Sequence, residues 1–170
     1  MKNQRINAAF FACGVVAAIV AFIPQTGHAL YKRVLPWECR LAPTSNTTLV
    51  RWSKGMSLLE ATAGEFAMAY CPYTSDPDLP LSSVSSIEVN VVDISPGLYA
   101  EFAAKACVTR SNSTGGGACG TQATSSSTGD QYISVSPSVW NSNSTGLAYV
   151  SVQFPGDDEV GDILRGIEVE

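Results

Sequence analysis

"AYVSVQF", residues 148–154, is the stretch on which the fold turns. Val150, Val152 and Phe154 alternate with Tyr149, Ser151 and Gln153, the period of a strand with one face towards a core and the other towards water. Working outward, the same grammar recurs. "SIEVNV" (86–91) sets Ile87, Val89 and Val91 against Glu88 and Asn90, and "YISVSP" (132–137) sets Ile133 and Val135 against Ser134 and Ser136. The chain ends on "RGIEVE" (165–170), with Ile167 and Val169 against Glu168 and Glu170.

Between these segments lie "TSDPDLP", "DISPG", "SNSTGGG", "TSSSTGD", "NSNSTG" and "FPGDDEVGD", dense in residues that supply turn geometry or remove ladder donors. Strands punctuated in this way about every eight to twelve residues predict an all-β chain, a single antiparallel β-sandwich of immunoglobulin-like or jelly-roll-like form. Residues 46–73 fit two or three further strands. Their "SLLEATAGEFAMAY" (57–70) contains good helix formers, but Gly64 falls where a turn is needed, and the strand reading is preferred.

The N-terminus follows a different logic. Lys2 and Arg5 precede the apolar run "INAAFFACGVVAAIVAFI", and then comes "PQTGHAL" with Pro24 ahead of the small residues Gly27 and Ala29. A charged start, an apolar middle and a small-x-small exit predict a signal-peptide helix over residues 1–29, cleaved after Ala29, and a sandwich domain over 30–170. An uncleaved anchor is the rival reading, because the run is just long enough to span a bilayer.

Removal of that leader changes the chemistry on offer. Lys2 and Arg5 leave with it, so eight basic side chains face fifteen acidic ones, a net charge of −7. An acidic chain with dispersed Lys and Arg repels phosphate, which excludes nucleic acid as a partner. The single histidine, His28, also departs. Without it the chain cannot build a Ser-His-Asp triad, a Cys-His pair or an imidazole metal site.

Four cysteines remain: Cys39, Cys71, Cys107 and Cys119. An even count in an exported chain reads as two disulfides, with three connectivities open; a tetrathiolate zinc site lacks any C-x-x-C pair. "FAAKACVTR" (102–110) read as a strand puts Phe102, Ala104, Ala106 and Val108 on one face and Ala103, Lys105, Cys107 and Thr109 on the other. Folding back about residue 113 sets Cys107 opposite Cys119, at the short separation a disulfide needs. Closing that loop stabilises by about 3 kcal/mol, and a Cys39 to Cys71 loop by somewhat under 4 kcal/mol. "GGGACG" (115–120) is no phosphate cradle, since no helix follows it.

A resemblance becomes visible on these residues. "YCPY", "IEVNVVD", "ACVTRSNSTGGGACG", "YISVSPSVW" and "LAYVSVQFPG" followed by "ILRGIEVE" resemble, in that order, a loose group of secreted proteins of unknown function from myxobacteria and other proteobacteria. The resemblance covers most of residues 36–170. It implies a small exported bacterial β-domain with paired cysteines, and it carries no catalytic residue to transfer.

The remaining constellations point to binding. In "GDDEVGD" (156–162) Asp157, Asp158 and Asp162 are candidate calcium ligands, although their spacing is not that of an EF-hand, and no other cofactor is expected. Among the aromatics, Tyr132, Tyr149 and Trp140 are candidates for a sugar-binding platform. Enzymatic signatures are missing, with no G-x-S-x-G elbow and no S-x-x-K pair in the mature chain. The sequence therefore predicts a non-catalytic, exported binding or structural protein of the envelope or extracellular space, with a protein or a glycan as partner. It would meet a membrane only through its leader. A carbohydrate-binding module, possibly calcium-assisted, is the first alternative; a carboxylate-dependent glycoside hydrolase is the second.

Overall fold

The computed structural model describes residues 30–42, 49–52, 55–59, 67–75, 77–94, 101–109, 117–143, 146–154 and 162–170. The expected leader helix, residues 1–29, lies outside them. Among the described residues twelve strands run in chain order: β1 (Lys32–Val34), β2 (Arg40–Leu41), β3 (Leu49–Trp52), β4 (Met56–Leu59), β5 (Ala67–Tyr73), β6 (Ile87–Asp93), β7 (Ala103–Thr109), β8 (Ala118–Cys119), β9 (Ala123–Thr124), β10 (Gly129–Val135), β11 (Leu147–Phe154) and β12 (Ile163–Val169). A short helix, α1 (Ser138–Asn141), follows β10.

The strands form two antiparallel sheets. The first has the order β10-β6-β12-β4-β3, with β1 also paired to β12. The second has the order β2-β5-β11-β7-β8, with β9 also paired to β7. An all-β sandwich-like architecture with two disulfides is thus what the chain adopts, and residues 57–70, whose strand reading the sequence favours over a helix, contribute to β4 and β5.

Alternation decides which residues meet between the sheets. In β6, Ile87, Val89 and Val91 are fully buried while Glu88 and Asn90 are partly exposed. In β11, Val150, Val152 and Phe154 turn inward as their spacing requires. The first sheet presents large branched side chains, including Leu164, Ile167 and Val169, and the second mixes Ala67, Ala69, Ala104 and Ala106 with the larger Val150, Val152 and Phe154. Large residues facing small ones let the layers interdigitate at crystal-like density. Phe102 and Phe154 fill one region of this core, their ring centroids 5.3 Å apart.

Both disulfides lie within the second sheet. Cys107 is registered opposite Cys119, with α-carbons 4.1 Å apart. Cys39 is bonded to Cys71 at 4.0 Å, one residue beyond the Arg40↔Tyr70 pairing of β2 with β5. Each bridge therefore fastens a two-residue edge strand to a seven-residue neighbour. Gly117 lets β8 approach closely, since a Cβ there would stand 2.1 Å from the Val108 carbonyl oxygen.

β12 carries a register irregularity that shapes the first sheet. Its register with β6 jumps between Leu164 and Gly166, leaving Arg165 as an extra residue that reaches outward to Asp130. Gly166 sits at φ +152°, a backbone conformation that L side chains rarely adopt.

Candidate functional site

The outer face of the second sheet holds the most distinctive surface chemistry among the described residues. Register places Arg40, Tyr70, Ser151 and Lys105 side by side across β2, β5, β11 and β7. The next row runs Pro72, Tyr149, Cys107 and Cys119. Tyr70 and Tyr149 are diagonal neighbours in these rows and meet edge to face, with centroids 5.5 Å apart and planes at 82°.

With Thr109 they line a shallow depression of about 390 Å³. Burial pushes the Tyr149 phenol upward in pKa and the neighbouring Tyr70 adds to the shift, so its hydroxyl stays a proton donor at neutral pH. Beside the rings, Ser151 is buried and its hydroxyl has no hydrogen-bond partner among the described residues. Two ring faces, hydroxyls and flanking cations make a surface that can stack on an apolar ring face and bond its polar rim.

The expected platform is divided differently. Tyr132 is 59% exposed, but it belongs to β10 and faces outward from the first sheet, registered with Asn90. Tyr149 faces outward from the second sheet, so the two rings lie on opposite sides of the sandwich. Trp140 corrects the expectation outright: it is fully buried. Its indole stacks on Tyr73 at 4.9 Å and its Nε1 donates to the Cys107 carbonyl at 2.9 Å. A ring enclosed on this scale is core, unable to meet a ligand.

Tyr70 escaped the sequence reading although "AMAYCPY" carries its signal, a large aromatic at the outward parity between inward Ala69 and Cys71.

A second arrangement lies at one end of the first sheet. Asp157 and Asp158 lie outside the described residues, but Asp162 is placed, buried, with Oδ1 accepting a 2.8 Å hydrogen bond from the Ile94 backbone N–H. Asp93 extends the inward parity of Ile87, Val89 and Val91 and is itself wholly buried. Its Oδ2 accepts a 2.7 Å bond from Ser125 Oγ, while Oδ1 has no hydrogen-bond partner among the described residues. Ile163 is registered with Val92, so one further step sets Asp162 opposite Asp93.

On the outer face of the first sheet, Glu168 accepts hydrogen bonds from Arg33 and from Tyr31, the latter at 2.9 Å. The Arg33 guanidinium, and then the Tyr31 hydroxyl, hold its carboxyl below the usual range. Comparison of the chain with protein-family models, with curated proteins and with solved structures finds no match.

Proposed function

We propose that the protein is an exported, non-catalytic binding domain of the bacterial envelope or extracellular space, and that it presents the Tyr70 and Tyr149 face of its second sheet to carbohydrate. The edge-to-face tyrosine pair over a lined depression is the observation that carries this reading. A pyranose has an apolar C–H face that stacks on an aromatic ring and a hydroxyl rim that needs donors and acceptors, which Thr109 and the phenols supply. Arg40 and Lys105, at the two ends of the row containing Tyr70 and Ser151, favour sugars bearing carboxylate or sulfate against the negative charge of the whole chain.

Two disulfides accord with an oxidising compartment, and the leader-like N-terminus with export into it. The test is a glycan array that includes uronic-acid polymers, read with the wild type, Y70A, Y149A and Y132A. Binding by the wild type and Y132A, lost in Y70A and Y149A, supports the proposal. Binding that follows Tyr132 instead, or no glycan bound by a folded wild type, overturns it.

A further inference from the structure

We propose that the free edge of β10 is a self-association surface, on which a second copy of this chain adds its own β10 antiparallel, making one continuous sheet across two molecules. Six strands pair on one side only among the described residues: β1, β2, β3, β8, β9 and β10. Five of them are two to four residues long, too short to template a partner. β10 has seven residues, and its register with β6 is unbroken over all of them.

The devices that commonly blunt such an edge are missing from it. "GDQYISV" contains no Lys and no Pro, and no bulge turns the strand away. Outside the β6 pairing, residues 129–135 make no backbone hydrogen bond among the described residues. In an antiparallel pair every second residue turns its N–H and C=O away from its neighbour, so β10 presents a row of donors and acceptors that another extended strand satisfies.

Symmetry and charge select the chain itself as the occupant. A two-fold axis at Tyr132 pairs all seven residues: Gly129 with Val135, Asp130 with Ser134, Gln131 with Ile133, and Tyr132 with its own copy. Asp130, Tyr132 and Ser134 are exposed on the outer face, and this register sets the two Tyr132 rings side by side as a cross-strand aromatic pair. The net charge of −5 repels a second copy over most of the surface. At β10 the one charged side chain, Asp130, is paired with Arg165 and falls opposite Ser134 of the second copy. Two acidic molecules therefore meet here with no like charges directly opposed.

An interface of one strand pair is small, so the protein is monomeric when dilute and dimeric when concentrated. The inference is independent of the Tyr70 and Tyr149 face, which belongs to the other sheet.

The experiment is sedimentation equilibrium of the purified protein from micromolar to millimolar concentration, for the wild type, Y132K, S134E and S134K, each checked for native circular dichroism. The expected result is a concentration-dependent dimer in the wild type, weakened roughly tenfold in Y132K, where two ammonium groups oppose one another at the axis. S134E sets a carboxylate opposite Asp130 and should weaken the dimer several-fold, whereas S134K sets a cation there and should leave it as tight as the wild type or tighter. Amide exchange in residues 129–135 of the wild type should slow as concentration rises. If Y132K fails to fold, the two Ser134 variants carry the same prediction. A wild type that stays monomeric at millimolar concentration, bare or with a co-purified peptide on β10, overturns the assignment. So does a dimer unmoved by a folded Y132K, one weakened equally by S134E and S134K, or concentration-dependent protection that spares β10.

Discussion

Cys107 and Cys119 stand directly opposite one another on β7 and β8, and the Cys107 carbonyl receives the indole N–H of Trp140. One residue thus ties the edge strand β8 by its sulfur and the buried Trp140 of α1 by its backbone. Non-reduced peptide mapping should recover Cys107 with Cys119 and Cys39 with Cys71. Replacing the first pair by serine should lower the unfolding free energy in urea by about 3 kcal/mol, and the second by about 4 kcal/mol, against a typical total of about 5 to 15 kcal/mol.

Trp140→Ala should cost about 3 to 5 kcal/mol by the same urea measurement, since it leaves a cavity beside Tyr73 and strips the Cys107 carbonyl of its donor. The near-ultraviolet circular dichroism of the stacked rings should fall with it. Any ligand bound at Tyr70 and Tyr149 should still bind to the folded fraction.

Tyr132→Ala, by contrast, should change stability by no more than about 0.5 kcal/mol, because its ring is mostly in water. Tyr149→Ala should cost about 0.5 to 1.5 kcal/mol for the lost ring pair alone, measured as a double-mutant cycle with Tyr70→Ala.

Gly166→Ala should destabilise by about 1 to 3 kcal/mol, as φ +152° strains any L side chain. The new Cβ would also stand 3.2 Å from the Val34 carbonyl oxygen. Amide exchange in residues 32–34 should quicken more than in the second sheet, since β1 pairs with β12 across that position.

The Glu168 carboxyl titrates lower in the folded protein than in the unfolded chain, first because of Arg33 and then Tyr31. A depressed carboxyl contributes stability above its unfolded pKa, about 4.3, and that contribution disappears as pH falls through the folded value. Protection of β1 amides should therefore decline below about pH 4 in the wild type, and E168Q should show the lower protection already at neutral pH. Arg33 is exposed, so the effect should be small and should shrink with added salt.

The long strands were legible because each has one wet and one dry face, and Ile87 through Val91 or Val150 through Phe154 spell that out in a few residues. The strands β1, β2, β8 and β9 are two or three residues long, too short for any period, and only their partners reveal them. Asp93 followed the inward parity of its strand, yet it also opened the turn string "DISPG" and was read as part of it. Trp140 could not be sorted into core or platform from its own neighbours, because what encloses it, Tyr73 and the Cys107 carbonyl, comes from β5 and β7. The Tyr70 and Tyr149 pair is likewise a product of register between strands distant in the chain.

The position of the two sulfur links sets how the molecule would fail. Each fastens a stub of β-structure along one margin of the same layer, so β5 and β7 keep their outer backbone groups satisfied by segments that would scarcely hold on alone. A thiol reductant would release β2 and β8 while β9 stays on β7, baring the ladder groups that those two stubs cover and leaving the opposite layer laced. Reduced material should consequently be lost by lateral strand-to-strand aggregation well before its interior melts.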